Sequence, residues 1–154
     1  MSRPRVVLSL VERGWGPARK CSLDLEDAGV EIIHVVKGRL GRGVRSLIAP
    51  KPHVRIWDVP RGWFWPAVWS LLGVLSASGR LAGVLVDNER SRRRFDGWPG
   101  FWERAGVRIA FIGEVRGGYE LAAGAGPVER EAWVRTLGVA VPPADAGAGP
   151  VSAR

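Results

Sequence analysis

Helix-like segments alternate with short apolar segments along most of this chain. Three times a helix-like stretch reaches a glycine and continues into an apolar segment with charged residues at its end, at Gly29–Lys37, Gly79–Glu89 and Gly106–Glu114. Glycine just beyond a helix readily adopts the left-handed backbone conformation that ends many helices. Strands that alternate with helices of this length need crossover connections, so the pattern predicts a mostly parallel sheet.

The same pattern predicts five main strands and four helices. The strands are Val6–Val11, Val30–Lys37, Val54–Val59, Leu81–Val86 and Val107–Gly113, and Val44–Ala49 is a candidate edge strand. The helices are Pro17–Ala28, Arg61–Gly79 (regular from Pro66), Pro99–Gly106 and Pro127–Leu137, with a short turn through Phe95 capped by Ser91. We therefore expect a three-layer Rossmann-like α/β domain with about five parallel strands over residues 1–138. Residues 139–154, rich in Ala, Gly and Pro, are expected to form a disordered tail.

Basic residues are concentrated in one part of the sequence. The 154 residues carry a formal net charge of +8, and residues 37–61 hold seven basic residues against the single acid Asp58. Such a field attracts phosphates, nucleic acids and anionic lipid surfaces, although a solvated basic face explains it equally well. Cys21 is the sole cysteine. No intramolecular disulfide can form, and we expect a reducing, cytoplasmic location.

Candidate ligand-binding residues follow the predicted strands, because parallel sheets of this kind bind ligands at the carboxyl ends of their strands. After the first strand, Gly14 and Gly16 permit close approach of the backbone, and Arg19 lies in the first turn of the next helix. This combination suits a phosphate, and an ordinary strand-to-helix turn is the alternative. Residues near the ends of the other strands complete the predicted site: Lys37, Asp87, Glu114 and Arg116.

Signals for catalysis are weak. Asp87 and Glu89 could act in acid–base chemistry or bind a metal, but turns commonly contain such residues. The sequence has no His-x-x-x-His, Cys pair or G-x-S-x-G motif, so we predict no metal site and identify no cofactor. Arg19 occupies the third small position of the dinucleotide fingerprint, which disfavours a nicotinamide. His34 shares a strand face with apolar residues, and we expect it to be an interior residue.

An uncharged stretch of eighteen residues lies between Arg61 and Arg80. A spanning helix needs about 20 mainly apolar residues, whereas this stretch contains Pro66, three glycines and three serines. The pattern favours a crossover helix packed on the sheet. In the alternative, Trp63 and Trp65 contact a membrane surface or a partner protein beside the basic segment.

The order of elements over residues 5–120 is similar to that of Rossmann-like half-domains, including the N-terminal half of two-domain glycosyltransferases. A complete transferase of that kind needs a second domain, for which 154 residues leave no room. The leading hypothesis is a domain that binds an anionic, phosphate-bearing small ligand of nucleotide or sugar-phosphate type, with enzymatic activity left open. A non-catalytic interaction module is the second hypothesis, and nucleic-acid binding is the third.

Overall fold

The residues that the structure describes contain a seven-stranded sheet. A computed structural model describes residues 5–13, 16–26, 30–38, 52–97, 99–116, 118–123, 126–129, 132–133 and 135. The strands are β1 (Val6–Val11), β2 (Glu31–Lys37), β3 (Val54–Val59), β4 (Leu81–Val86), β5 (Arg108–Val115), β6 (Gly118–Ala123) and β7 (Gly126–Val128). Their order across the sheet is β3-β2-β1-β4-β5-β6-β7. The first five are mutually parallel, so the predicted α/β class with a mostly parallel sheet is confirmed.

In the part of the chain that the structure describes, helices follow β1, β3 and β4. They are α1 (Gly16–Glu26), α2 (Phe64–Ala77), α3 (Glu89–Asp96) and α4 (Pro99–Arg104), and a 3-10 turn over Arg61–Trp63 precedes α2. Regular helix begins at Phe64, slightly before the predicted Pro66. Proline is tolerated there because the N–H groups of the first helical turn have no partner within the helix.

Apolar side chains on the two faces of the sheet belong to separate buried clusters. Because side chains alternate along a strand, Leu8 and Leu10 share one cluster with residues of α2, whereas Val7 shares another with Cys21 and Leu25 of α1. All six residues of β1 and all six of β4 are buried. Burial on both faces explains why these strands read as continuous apolar runs rather than alternating ones.

Glycines end two of the helices as the repeated pattern predicts. Gly79 follows α2 with φ of +71° and Gly106 follows α4 with φ of +73°. In each case the next residue donates its N–H to a carbonyl five residues earlier, from Arg80 to Leu75 and from Val107 to Trp102, both at 2.9 Å. This is the Schellman arrangement, which turns the chain directly into the following strand. Gly29, in the remaining copy, lies outside the described residues.

The C-terminal part of the sheet differs from the sequence prediction. The prediction of a helix over Pro127–Leu137 is wrong at its start, because Gly126–Val128 forms β7, in which Val128 pairs with Leu121 of β6. Proline suits an edge strand, where its missing N–H breaks no ladder bond. The antiparallel hairpin of β5 and β6 was not predicted either. The candidate strand Val44–Ala49 and the tail over 139–154 lie outside the described residues.

Candidate functional site

The strand order creates a crevice at the carboxyl ends of β1 and β4. From β1 the chain continues to β2 and β3 on one side, whereas β4 leads to β5 on the other. Chain segments that leave β1 and β4 therefore diverge, and such switch points are where open α/β sheets bind ligands. Residues 12–13 and 87–88 leave the two strands at this point.

Asp87 ties the two strand exits together. Its Oδ2 accepts the backbone N–H of Glu12 at 3.0 Å and that of Arg13 at 2.8 Å. Two adjacent N–H groups that converge on one oxygen form the kind of concavity that binds anions. Here the carboxylate of Asp87 fills that concavity, so it holds the turn after β1 in place.

Glu12 is the centre of a polar network that the sequence analysis did not identify. Its Oε1 lies 3.2 Å from the Lys37 ammonium, and its Oε2 accepts bonds from Asn88 Nδ2, at 2.6 Å, and from Ser91 Oγ. The side chain is only 9% exposed. We call Glu12, Lys37, Asp87, Asn88 and Ser91 the edge cluster. The available sequence signal was an acidic residue immediately after a buried strand.

Asn88 also begins α3, which corrects the predicted cap. Its Oδ1 accepts the backbone N–H of Ser91 at 2.9 Å, so Asn88 and not Ser91 is the N-cap. The predicted short turn is an eight-residue helix. Ser91 and Phe95 are buried four positions apart on one face of this helix, which anchors it to the rest of the protein.

The structure brings some of the predicted site residues together and separates others. Lys37 and Asp87 join the edge cluster. Helix α1 follows the turn that Asp87 binds. Gly16 is its first residue, and the exposed Arg19 lies in its first turn. Gly14 lies outside the described residues.

The described side chains of Glu89 and Arg116 take no part in this network. Glu89 is exposed beside Arg92 at 3.9 Å, so it does not share a site with the backbone-bound carboxylate of Asp87. Glu114 lies in β5 opposite Tyr119, and Arg116 is exposed just after that strand. Asp87 and Glu89, the two carboxylates considered for acid–base chemistry, therefore have different surroundings.

A second feature lies between α2, α3 and α4. Ring centroids of Phe95 lie 6.4, 5.9 and 5.4 Å from those of Trp65, Trp69 and Trp102. Beside these rings is a cavity of about 650 Å³, which we call the aromatic cleft; it is lined by Trp69, Leu72, Gly73, Ser76, Arg94, Phe101 and Trp102. Trp65 is half-buried under the Arg94 guanidinium at 4.4 Å, whereas Trp63 is 66% exposed. The two tryptophans therefore do not form one wedge.

Burial controls the charge of the one histidine in the sheet interior. His34 of β2 is fully buried, as expected. Burial, and secondly the charge of His53, lower the pKa of His34 from 6.5 to about 3. A neutral imidazole in this position is part of the core rather than a proton carrier near neutral pH.

Helices of the described residues are all too short or too polar to cross a bilayer. No family model matches the chain, and comparisons with curated proteins and with solved structures give no significant match. The chemistry of the edge cluster and of the aromatic cleft is therefore the basis for assigning a function.

Proposed function

We propose that this protein is a Rossmann-like three-layer domain that binds an anionic, phosphate-bearing small ligand of nucleotide or sugar-phosphate type. The crevice between the carboxyl ends of β1 and β4 is the binding place. The observation that carries this proposal is the network of polar side chains at the switch point, in which Asp87 holds the two strand exits together. Separate apolar clusters on the two faces of the sheet support the three-layer arrangement.

Basic groups around the crevice support an anionic ligand. Lys37 is held by Glu12 through one contact at 3.2 Å, and an ammonium has three donors, so others remain for a phosphate. Arg19 lies in the first turn of α1, where the unpaired N–H groups and the helix dipole also favour negative charge, and Lys20 follows it. The phosphate would therefore lie between α1 and Lys37.

Glu12 supports the presence of hydroxyl groups on the ligand. Its Oε1 accepts from Lys37, and a carboxylate oxygen accommodates two hydrogen bonds. Acids at strand ends of Rossmann-like folds accept ribose hydroxyls in this way. A sugar placed over Glu12 with its phosphate toward α1 would use both sides of the crevice.

A thermal-shift screen followed by calorimetry tests this proposal. UDP-glucose, ATP and glucose 1-phosphate would be compared with uridine, adenosine and glucose. We expect a phosphate-bearing compound to raise the Tm, because binding at 100 times Kd stabilises the folded state by about 2.7 kcal/mol. Lys37→Gln and Arg19→Gln should each weaken that binding about tenfold, whereas Arg104→Gln, an exposed change on α4, should not. A panel without any stabilising phosphate compound, or equal affinities in all variants, contradicts the proposal.

The exposure of Trp63 favours the second hypothesis enough for a direct test. The side chain of Trp63 is 66% exposed, and the exposed Arg61 lies two positions earlier in the chain. An exposed tryptophan close in sequence to a basic residue suits the headgroup region of an anionic membrane. Flotation with phosphatidylglycerol vesicles should fall in Trp63→Ala and persist in Trp57→Ala, a control in β3 that is 43% exposed. Equal flotation of the two variants removes the membrane hypothesis.

A further inference from the structure

The aromatic cleft is separate from the proposed phosphate site. It shares no residue with the edge cluster. Phe64, which lies 5.3 Å under the Lys37 ammonium, precedes the first cleft residue, Trp69, by more than one turn of α2. The cleft therefore offers a second place for a ligand on the side of the sheet covered by α2, α3 and α4.

We propose that the aromatic cleft binds an aromatic carboxylate, with the ring system among Trp69, Phe101 and Trp102 and the acid group on Arg94. The volume of about 650 Å³ falls within the range of small-molecule sites. Trp69 and Phe101 are 42% and 48% exposed, so their rings keep surface that a planar ligand can cover. Aromatic pairs gain stabilisation beyond simple burial in offset or edge-to-face geometry.

Arg94 determines the charge of the ligand. Its guanidinium lies over the ring of Trp65, and it has no ion-pair partner in the part of the chain that the structure describes. The ion pairs of α3 in that part belong to Arg92 instead. A guanidinium binds a carboxylate through two parallel N–H donors. One arginine in an otherwise largely apolar wall fits a ligand with one acid group.

Gly73 keeps the cleft open at a local cost to α2. A Cβ added at this position would meet nothing within 4 Å, and Gly73 is not among the glycines with positive φ. The backbone therefore does not require glycine there. Glycine within a helix is about 1 kcal/mol less favourable than alanine, so a reason other than local conformation is needed. An occupied cleft supplies that reason, because a larger side chain would project into the ligand.

Isothermal titration calorimetry with 2-naphthoate tests the proposal, with 2-naphthylmethanol as the neutral counterpart. Gly73→Leu fills the cleft, and Ala77→Leu adds the same side chain to an exposed position of α2 outside it. Arg94→Gln removes the charge, and Arg90→Gln removes an exposed charge of α3 that does not line the cleft. Both arginines are exposed, so these two variants should fold.

We expect 2-naphthoate to bind the wild type saturably below about 1 mM and Gly73→Leu to bind it at least about tenfold more weakly, with Ala77→Leu unchanged. Arg94→Gln should weaken 2-naphthoate about tenfold and leave the alcohol unaffected. Three results would overturn the proposal: no saturable binding, equal affinities in Arg94→Gln and Arg90→Gln, or displacement of 2-naphthoate by phosphatidylglycerol vesicles. The last result would assign the cleft to a membrane surface.

Discussion

The edge cluster and the aromatic cleft both include residues of α3, but they are built in opposite ways. In the edge cluster, polar side chains form hydrogen bonds with one another and with the backbone. One oxygen of Asp87 accepts two backbone N–H groups. In the aromatic cleft, rings contact one another while a cavity of about 650 Å³ stays open beside them. Satisfied polar groups fix backbone positions, whereas rings that meet at a tilt can leave one side uncovered.

Helix α3 joins the two regions. Its N-cap Asn88 and its first-turn Ser91 belong to the edge cluster, whereas Phe95 packs against the rings of the cleft. Glu89 in the first turn and Arg93 and Arg94 in the last complement the helix dipole. One short helix is therefore held at its start by hydrogen bonds and farther along by apolar burial. Substitutions can separate these two contributions.

The largest expected effect is loss of the buried ring of Phe95 beside the cleft. Phe95→Ala should lower the free energy of unfolding by about 3–5 kcal/mol, because Phe95 is only 1% exposed and packs on three tryptophans. Phe101→Ala removes a half-exposed ring and should cost less than about 1 kcal/mol. Urea denaturation measures both. Equal losses would contradict the contrast between a buried Phe95 and a half-exposed Phe101.

The edge cluster should respond to loss of its backbone acceptor. Asp87→Ala should cost about 2–3 kcal/mol, since two N–H groups that now bond to a carboxylate lose their partner. Asp87→Asn retains an acceptor oxygen and should cost less. Glu89→Ala, at an exposed position, should change stability by no more than about 0.5 kcal/mol. A similar loss in Asp87→Ala and Glu89→Ala would mean that the edge cluster does not fix the strand exits.

His34 extends the comparison from charged groups at the sheet edge to a titratable group that is neutral in the sheet interior. Its pKa is about 3 in the folded protein against an ordinary 6.5, so between these values the unfolded chain binds a proton that the folded chain does not. The free energy of unfolding should therefore fall as the pH drops below 6.5, by about 1.4 kcal/mol per pH unit for this group. Above pH 6.5 the group adds no pH dependence.

Urea denaturation of the wild type and His34→Leu at pH 7, 6 and 5 isolates this contribution. The free energy of unfolding of the wild type minus that of His34→Leu should fall by about 1.2 kcal/mol between pH 6 and pH 5, because only the wild type has this imidazole to protonate on unfolding. A difference that stays constant over this interval contradicts a buried, neutral His34.

The smallest predicted effect compares two glycines at different parts of α2. Gly73→Ala should raise stability by about 0.5–1 kcal/mol, because the added methyl meets open space in the cleft and favours helix. Gly79→Ala should lower it by about 1 kcal/mol or more, since φ there is +71°. Thermal unfolding of both variants measures the contrast. A loss in both would mean that the Gly73 position is already closely packed.

Local chemistry made the parallel core and its helix ends predictable. Continuous apolar runs predicted five parallel strands, and Gly79 and Gly106 marked the turns into β4 and β5. The short hairpin of β6 and β7 was not predicted, because a brief sequence rich in glycine and alanine has little hydrophobic periodicity. Pairing of β6 with β5, and of β7 with β6, determines those strands more than their own residues do.

The sequence by itself determined that polar and basic residues follow the strands, and it placed Lys37 and Asp87 among them. Only the tertiary structure decided that Glu12, distant in sequence from both Lys37 and Asn88, links them through its two carboxylate oxygens. Tertiary packing also decided that α2 and α4 leave a cavity beside their tryptophans. Periodicity reports which face of an element is buried, whereas partners and cavities depend on how separate elements meet in space.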